Sequence, residues 1–382
     1  MRFLHLADLH IGKVVNGFSM LEDQAEILRQ IREIARREQA DCVVIAGDVY
    51  DRPIPPAEAV ELLDGFLTGL AEDGIPVLMA AGNHDSGVRL GFAGRILETK
   101  GLVIAGSPAS PLKKVTFQDS YGEVAFFLLP FFKPAALKEV LGEMPETTEE
   151  GIQKLIERES LSGESRNVLV THFFVTAKGQ QPELSDSETT VQVGGTDRVD
   201  AGLFAAFDYT ALGHLHKCQR MGEGQVWYAG SPLKYSFSEV QHEKTVLLAE
   251  LQEKGNMELR RIPLHPLHDM RKIRGELEIL LRPEIAGLAD QEDYLCVTLT
   301  DEEELLDPIG SLRKVYPNVM QLILEKNSRL SEEASIALPQ KKQQSMPELY
   351  REFFEQVTGR ELDEERKVLV QEAFVEAGGM EE

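Results

Sequence analysis

Cysteine is scarce. Cys42, Cys218 and Cys296 are the three in 382 residues; they stand far apart and form no CxxC pair. A disulfide framework has nothing to build on, and plain thiols suit a reducing cytoplasm. No apolar run approaches the ~20 residues that span a bilayer. The start, Met-Arg-Phe-Leu-His-Leu, reads as a strand, without a signal-peptide core or cleavage site. A protein with no membrane association is therefore expected. No GxxxxGK[ST] phosphate loop occurs, so any dependence on ATP has to come from a partner. Internal repeats are missing too. Positive charge is in deficit, with 40 Lys and Arg against 64 Asp and Glu, a net charge of −24. That excludes coating a polyanion such as DNA by bulk electrostatics. It does not exclude a local grip on DNA, because bound divalent cations reverse the field in a cleft.

What is present can build a sizeable core: 42% of the residues are hydrophobic. The length exceeds what one core usually organises, so two folded domains and a smaller appendage are expected. Over the first 250 residues strand-like and helix-like segments alternate. Arg2–Ala7, Asp41–Ala46 and Ile75–Ala80 read as strands, Met20–Arg37 and Ala57–Leu70 as helices, the latter opened by Pro53, Pro55 and Pro56. Further strands are expected at Val124–Leu129, Asn167–Thr171, Tyr209–Leu212, Gln225–Tyr228 and Lys244–Leu251. Acidic Glu143–Ser165 reads as a surface helix. Such a β-α-β-α-β start implies a sheet with helices on its faces and active residues in loops at the strand ends. After a basic junction from His268 to Arg274 comes a smaller α+β unit. Its expected strands are Gly275–Leu281, Tyr294–Thr300 and Val319–Glu325, with a helix over Glu304–Val315. Asn327–Gln344 reads as a polar linker. A capping box of Ser345 and Glu348 opens a helix with Met346, Leu349, Tyr350, Phe353, Phe354 and Val357 on one face. Gly359 ends it, and Leu362, Leu369, Val370, Ala373 and Phe374 line a second helix.

Five short motifs stand at the ends of expected strands: Asp8-Leu9-His10, Gly47-Asp48-Val49-Tyr50-Asp51, Gly82-Asn83-His84-Asp85, Thr171-His172-Phe173 and Gly213-His214-Leu215-His216. They hold five of the nine histidines. Imidazole, carboxylate and amide oxygen together suit Mn²⁺, Fe²⁺ or Zn²⁺. Ca²⁺ prefers all-oxygen cages, and structural zinc prefers thiolate. One such motif means little, whereas five in this order, each after a strand, point to a metal centre. Asp48 follows a glycine that lets the backbone turn tightly. Asn83 offers a neutral amide oxygen.

The motif set resembles the calcineurin-like metallophosphoesterases, whose signature is DxH, GDxxD, GNH[DE], a lone His and GHxH. Within them the chain is similar to nuclease subunits of bacterial DNA-end-processing complexes. The stretches LHLADLHIGK, GNHDSGVRLGF, VGGTDRVD, DYTALGHLHK and YAGSPLKYSFSEVQHEK carry that likeness, over residues 1 to about 250. The resemblance implies an α/β fold: a β-sandwich flanked by helices over 1–265, a smaller α+β capping domain contacting DNA over 266–335, and a helical pair at 345–378 that docks a partner. It implies two divalent ions, with Mn²⁺ the expected metal. Asp8, His10, Asp48 and His216 would hold one; Asp48, Asn83, His172 and His214 the other. The implied partners are DNA, as double-strand ends, hairpins or single strands, and a coiled-coil ATPase in a heterotetramer with two copies of each chain.

His84 then has no metal. With Asp85 holding one ring nitrogen it would act as general acid or stabilising cation; the competing reading is a structural histidine. Asp51 reads as support for a ligand or as a ligand itself. Arg52 and Arg89 either touch phosphate or are ordinary surface arginines. His5 reads as packed, His242, His265 and His268 as solvated, Phe173 and Phe174 as core. Two other functions remain open at this point: a phosphomonoesterase or small-nucleotide phosphodiesterase on the same core, and a non-catalytic DNA-end tether.

Overall fold

The computed structural model describes residues 1–188 and 198–325, together with Lys367. Two six-stranded sheets face each other. The first runs in the order Met257–Pro263, Thr245–Leu251, Arg2–Leu6, Cys42–Ala46, Val77–Ala80, Leu102–Ala105. The second runs Gln219–Arg220, Val226–Tyr228, Tyr209–Gly213, Arg166–His172, Gly122–Leu129, Lys113–Asp119. The inner strands of both pair in parallel. Their carboxyl ends therefore gather at one rim, where loops can converge.

The strands read as nearly continuous apolar runs because both of their faces are buried, yet the period of two still sorts their side chains. Phe3, Val44 and Leu78 meet Phe126, Val168 and Tyr209 between the sheets. Leu4, Leu6, Val43, Ile45, Val77 and Met79 point the other way, onto the helices Leu21–Arg37 and Ala57–Glu72 through Ile27, Ile31, Leu63 and Phe66. The first helix has Glu22 and Asp23 in its opening turn and Arg36 and Arg37 in its last, which complements its dipole. On the outer face of the second sheet, Ile152 and Leu155 of the helix Thr148–Glu157 cover Phe127 and Leu169.

A third sheet is formed by Met270–Gly275, Tyr294–Leu299 and Val319–Leu324, and up to Ile323 it belongs to the same compact unit, Met1–Ile323. Alternation again divides it. Leu295, Val297 and Leu299 form a local core with Leu312, while Met270, Tyr294 and Cys296 join the core of the first sheet and its helices. Asp23 fastens this junction. Its buried carboxylate accepts hydrogen bonds from the His268 N–H (2.9 Å), from His268 Nδ1 (3.0 Å) and from the Tyr294 hydroxyl (2.8 Å). His268 is thus a structural partner and not the solvated side chain its sequence context suggests. His242 is also half-buried, with a shielded Nδ1.

The smaller unit departs from its expected elements. The strand expected at Gly275–Leu281 is Met270–Gly275, in which Arg271, Lys272 and Arg274 break up the apolar Met270 and Ile273, and Leu277–Leu280 is a single helical turn. The helix expected over Glu304–Val315 covers only Pro308–Arg313, begun by Asp307, whose side chain accepts from the Gly310 N–H, and by Pro308 in its first turn. The helix expected within Glu143–Ser165 is Thr148–Glu157. The helical pair expected at 345–378 and the linker before it fall outside the described residues, apart from Lys367.

Candidate metal centre

The loops leaving Arg2–Leu6 and Cys42–Ala46 stay paired beyond their strands. Asp8 N–H donates to Gly47 O (3.0 Å), His10 N–H to Asp48 O (2.9 Å) and Ile11 N–H to Val49 O (2.9 Å). To aim their side chains together, Asp8, His10, Asp48 and His214 adopt φ of 53°, 44°, 49° and 105°. Such left-handed conformations cost non-glycine residues energy and cluster at functional sites. Gly47, at φ +85°, sits so close to His172 that a Cβ would lie 2.3 Å from its Nδ1. A Cβ on Gly82 would lie 2.2 Å from Asp48 Oδ1. These two glycines are what allow three motifs to share one small volume.

All seven side chains that the sequence nominates as ligands come to this rim. His10 Nε2 faces His216 Nε2 at 3.1 Å. Asp48 Oδ2 lies 3.2 Å from His172 Nε2, 3.9 Å from His10 Nε2 and 4.0 Å from His84 Nε2. Asn83 Oδ1 is 2.9 Å from His172 Nε2 and 3.0 Å from His214 Nδ1. The Asp8 carboxylate accepts the backbone N–H of His214 through both oxygens, at 2.9 and 3.1 Å. Several imidazoles are oriented from behind through their second nitrogen. His172 Nδ1 donates to Ala46 O (2.8 Å), His84 Nδ1 to Asp51 O (2.9 Å), and His216 Nδ1 meets Ser187 Oγ (2.7 Å). His10 Nδ1 is buried with no hydrogen-bond partner among the described residues and points at Asp51 Oδ1, 3.6 Å away. Asp51 itself receives Lys13 Nζ at 2.7 Å.

Asp85 departs from its expected position. The atom that orients the His84 ring is the Asp51 carbonyl, and the Asp85 carboxylate is occupied by the N–H groups of Gly82 (2.8 Å), Tyr50 (3.0 Å) and Val49 (3.2 Å). It clamps the second motif to the third. Burial, reinforced by Asp48, raises the Asp85 carboxyl to about 6. His5 is buried between the sheets against Tyr209 OH (2.9 Å) and Leu212 O (3.2 Å), as a packed histidine should be. Phe173 is core, and Phe174 lies edge-on to His214. Arg52, 69% exposed, lies 3.6 Å from Asp51, and Arg89 is exposed.

Electrostatically the centre is short of cations. Burial pushes the Asp8 carboxyl up. Burial also opposes charge on Asp48, but the His172 imidazolium outweighs it and holds Asp48 ionised. The reciprocal attraction lifts His172 to about 9 against its own burial. Burial drives His10 far down, and burial with the nearby His172 drives His214 to about 3. Lone pairs of the His10 and His214 imidazoles and of the ionised Asp48 carboxylate therefore converge, with the His172 imidazolium among them. In three groups, Asp8/His10/His216, His10/Asp48/His84 and Asp8/Asp48/His172, the nearest ligand atoms lie within 4.8 Å of one another. The donor set, imidazole nitrogens with carboxylate and amide oxygens, fits divalent cations.

Sequence reasoning missed the polar side chains packed behind the motifs. Gln24 donates to His10 O (2.8 Å) and accepts from the Gly12 N–H (3.0 Å). Tyr235 OH donates to Leu9 O (2.5 Å), and Glu188 accepts the His216 N–H (2.7 Å). Glu239 and Lys244 lie deeper still, inside YAGSPLKYSFSEVQHEK, where charged residues among apolar and small ones were the available signal.

Comparison with known proteins agrees with this architecture. Residues 1–218 match the family described as calcineurin-like phosphoesterase, and residues 266–358 match one described as type 5 capsule protein repressor C-terminal domain. The chain belongs to the calcineurin-like phosphoesterases, whose members are metal-dependent hydrolases of phosphoesters. Within them it falls in the SbcD group: it is 33% identical, over 326 residues, to the SbcD nuclease component of SbcCD from Staphylococcus epidermidis, covering 84% of this chain and 85% of that one. Among solved structures it is similar to a dimetal phosphatase from Danio rerio (16% identity, 69% of this chain and 96% of that one, TM-score 0.44). It is also similar to GAP50 of Plasmodium (12% identity, 84% and 96%, TM-score 0.43). No helix among the described residues is long and apolar enough to cross a membrane.

Proposed function

We propose that this chain is the nuclease subunit of an SbcCD-type machine, working in the cytoplasm on DNA phosphodiester bonds with two divalent ions, Mn²⁺ the expected metal. The observation that supports it most is the convergence of Asp8, His10, Asp48, His172 and His216, whose ligand atoms lie within 4.8 Å of one another in the groups above. Asp8, His10, Asp48 and His216 would hold one ion. Asp48, Asn83, His172 and His214 would hold the other, with Asp48 shared. When bound, the ions supply Lewis acidity toward the phosphate and acidify a water. The chain's own residues do the rest. Asn83 contributes a neutral oxygen where a phosphate arrives. The His84 side chain, 24% exposed where those of His10 and His172 are at most 2%, stands at the mouth. With Nδ1–H held by the Asp51 carbonyl, its Nε2 gives a proton to the leaving oxygen. Asp85 keeps the turn that carries it.

The substrates we infer are double-strand ends, cut exonucleolytically, and hairpins and single strands, cut endonucleolytically. The partner is an SbcC-type coiled-coil ATPase, in a heterotetramer built on a homodimer of this chain. Residues 266–335 would cap the site and contact DNA, and 345–378 would dock the partner. Labelled hairpin and blunt duplex DNA, incubated with Mn²⁺ with and without that ATPase, tests the proposal. Cleavage should require Mn²⁺ and disappear with chelator. Hydrolysis of a small aryl phosphate with no cleavage of any DNA would favour a phosphomonoesterase instead.

A further inference from the structure

Behind His216 a chain of buried polar groups leads away from the metal centre. His216 Nδ1 lies 2.7 Å from Ser187 Oγ and 3.4 Å from Glu239 Oε1, and Ser187 Oγ donates to the same Glu239 oxygen at 2.5 Å. Ser185 Oγ is 2.9 Å from the same hydroxyl. Lys244 Nζ closes the chain by donating to Glu239 Oε2 (2.5 Å), Ser231 Oγ (2.8 Å) and His216 O (3.0 Å). Glu239 is fully buried and Lys244 nearly so. Burying this many polar groups is costly unless each is satisfied, and here they satisfy one another.

The directions of these bonds can be worked out. Lys244 spends its three protons on Glu239, Ser231 and the His216 carbonyl, which leaves Glu239 an ionised carboxylate that only accepts. The one proton of Ser187 then goes to Glu239 Oε1. Its lone pairs are left to accept, one from Ser185 Oγ and the other from His216 Nδ1, which must therefore be the protonated ring nitrogen. Nε2 keeps its lone pair, and Nε2 is the atom that faces His10 Nε2 at 3.1 Å.

We propose that Ser187, Glu239 and Lys244 are positioning residues that fix the tautomer of His216, with its proton on Nδ1 and the lone pair of Nε2 directed into the metal centre. The inference rests on the two-metal reading above. Without the relay, a proton on Nε2 would occupy the direction that a cation needs. Partners of this kind typically change metal affinity by ~10–100-fold.

The test uses the full chain labelled with ¹⁵N-histidine and stripped of metal, with His216 assigned by comparison to His216→Gln. A long-range ¹H–¹⁵N correlation spectrum reads which ring nitrogen carries the proton, and calorimetric titration with Mn²⁺ reads affinity. The wild type should show Nδ1–H at His216. Ser187→Ala, which leaves Nδ1 only the 3.4 Å contact with Glu239 Oε1, should weaken that signature and bind one of the two ions ~10–100-fold more weakly while the other is unchanged. Ser187→Thr, which keeps the hydroxyl, should restore both readouts. A wild type protonated on Nε2 overturns the inference with no variant needed, and so does a folded Ser187→Ala chain that binds both ions with wild-type affinity. A wild type that takes up no Mn²⁺ would instead remove the two-metal reading, and the tautomer spectrum would still decide the relay.

Discussion

His84 Nε2 lies 4.0 Å from Asp48 Oδ2, while its Nδ1 is tied to a backbone carbonyl. Replacing the ring should remove a proton donor without removing a ligand. His84→Gln should retain two ions and wild-type DNA affinity and cut turnover by ~10²–10⁴-fold. Metal analysis with single-turnover kinetics checks this, and loss of an ion would make His84 part of the metal shell. His5 gives a pH effect. Burial lowers its pKa from 6.5 to about 3, so in the folded chain it stays neutral where the unfolded chain takes up a proton. Its contribution to stability is complete above about 6.5 and declines as pH falls toward about 3. His5→Gln should flatten part of that decline in denaturant melts taken across the window. An unchanged slope would mean that other groups carry it. At this scale the sequence was most informative where residue type and spacing coincide with strand ends. That is why Asp8, His10, Asp48, Asn83, His172, His214 and His216 could be named from motifs. Ser187, Glu188 and Glu239 follow no spacing rule and reach His216 only through folding; Glu239 alone carried a local signal, a charge among apolar and small residues.

Elements place these residues, and two positions show how tightly. Gly47→Ala would put a Cβ 2.3 Å from His172 Nδ1 at a φ of +85°. We expect it to cost at least the ~1–3 kcal/mol of a strained backbone and to reduce metal uptake, read by thermal melts and metal titration together. Wild-type values in both would mean the loop has more freedom than its packing suggests. Asp23→Ala leaves the His268 and Tyr294 donors without their acceptor. It should lower stability by ~1–3 kcal/mol for each donor left buried and unsatisfied, with hydrogen exchange rising first in Met270–Gly275 and Tyr294–Leu299. Exchange rising evenly over the chain would argue against a local fastening. The central strands and the two long helices were legible because their apolar patterns are long and strong. Leu102–Ala105, Lys113–Asp119 and Met257–Pro263 were not. The first has only four residues, and the other two sit at sheet edges, with polar side chains alternating along them as edge strands require. The short turns of the third sheet were misplaced for a related reason: one-turn helices and a basic strand carry little periodicity.

On the scale of the whole molecule, a net charge of −24 has to be reconciled with a polyanionic substrate. The proposed account does so through bound divalent ions in the cleft and a partner that supplies most of the DNA-binding surface. Ending the chain near Lys342 should therefore leave a folded, metal-binding protein, since every motif precedes residue 217. It should no longer co-purify with the ATPase, and ATP-stimulated cutting of duplex ends should vanish while basal single-strand cutting persists. Undiminished binding would put the docking site elsewhere. The central claim is a shared carboxylate between two ions, and metal stoichiometry of the purified wild type and of Asp48→Ala, measured by elemental analysis beside cleavage of hairpin DNA, tests it most directly. The account requires two ions per wild-type chain, and neither ion nor cleavage in the variant. Two ions retained by a folded Asp48→Ala chain would contradict it.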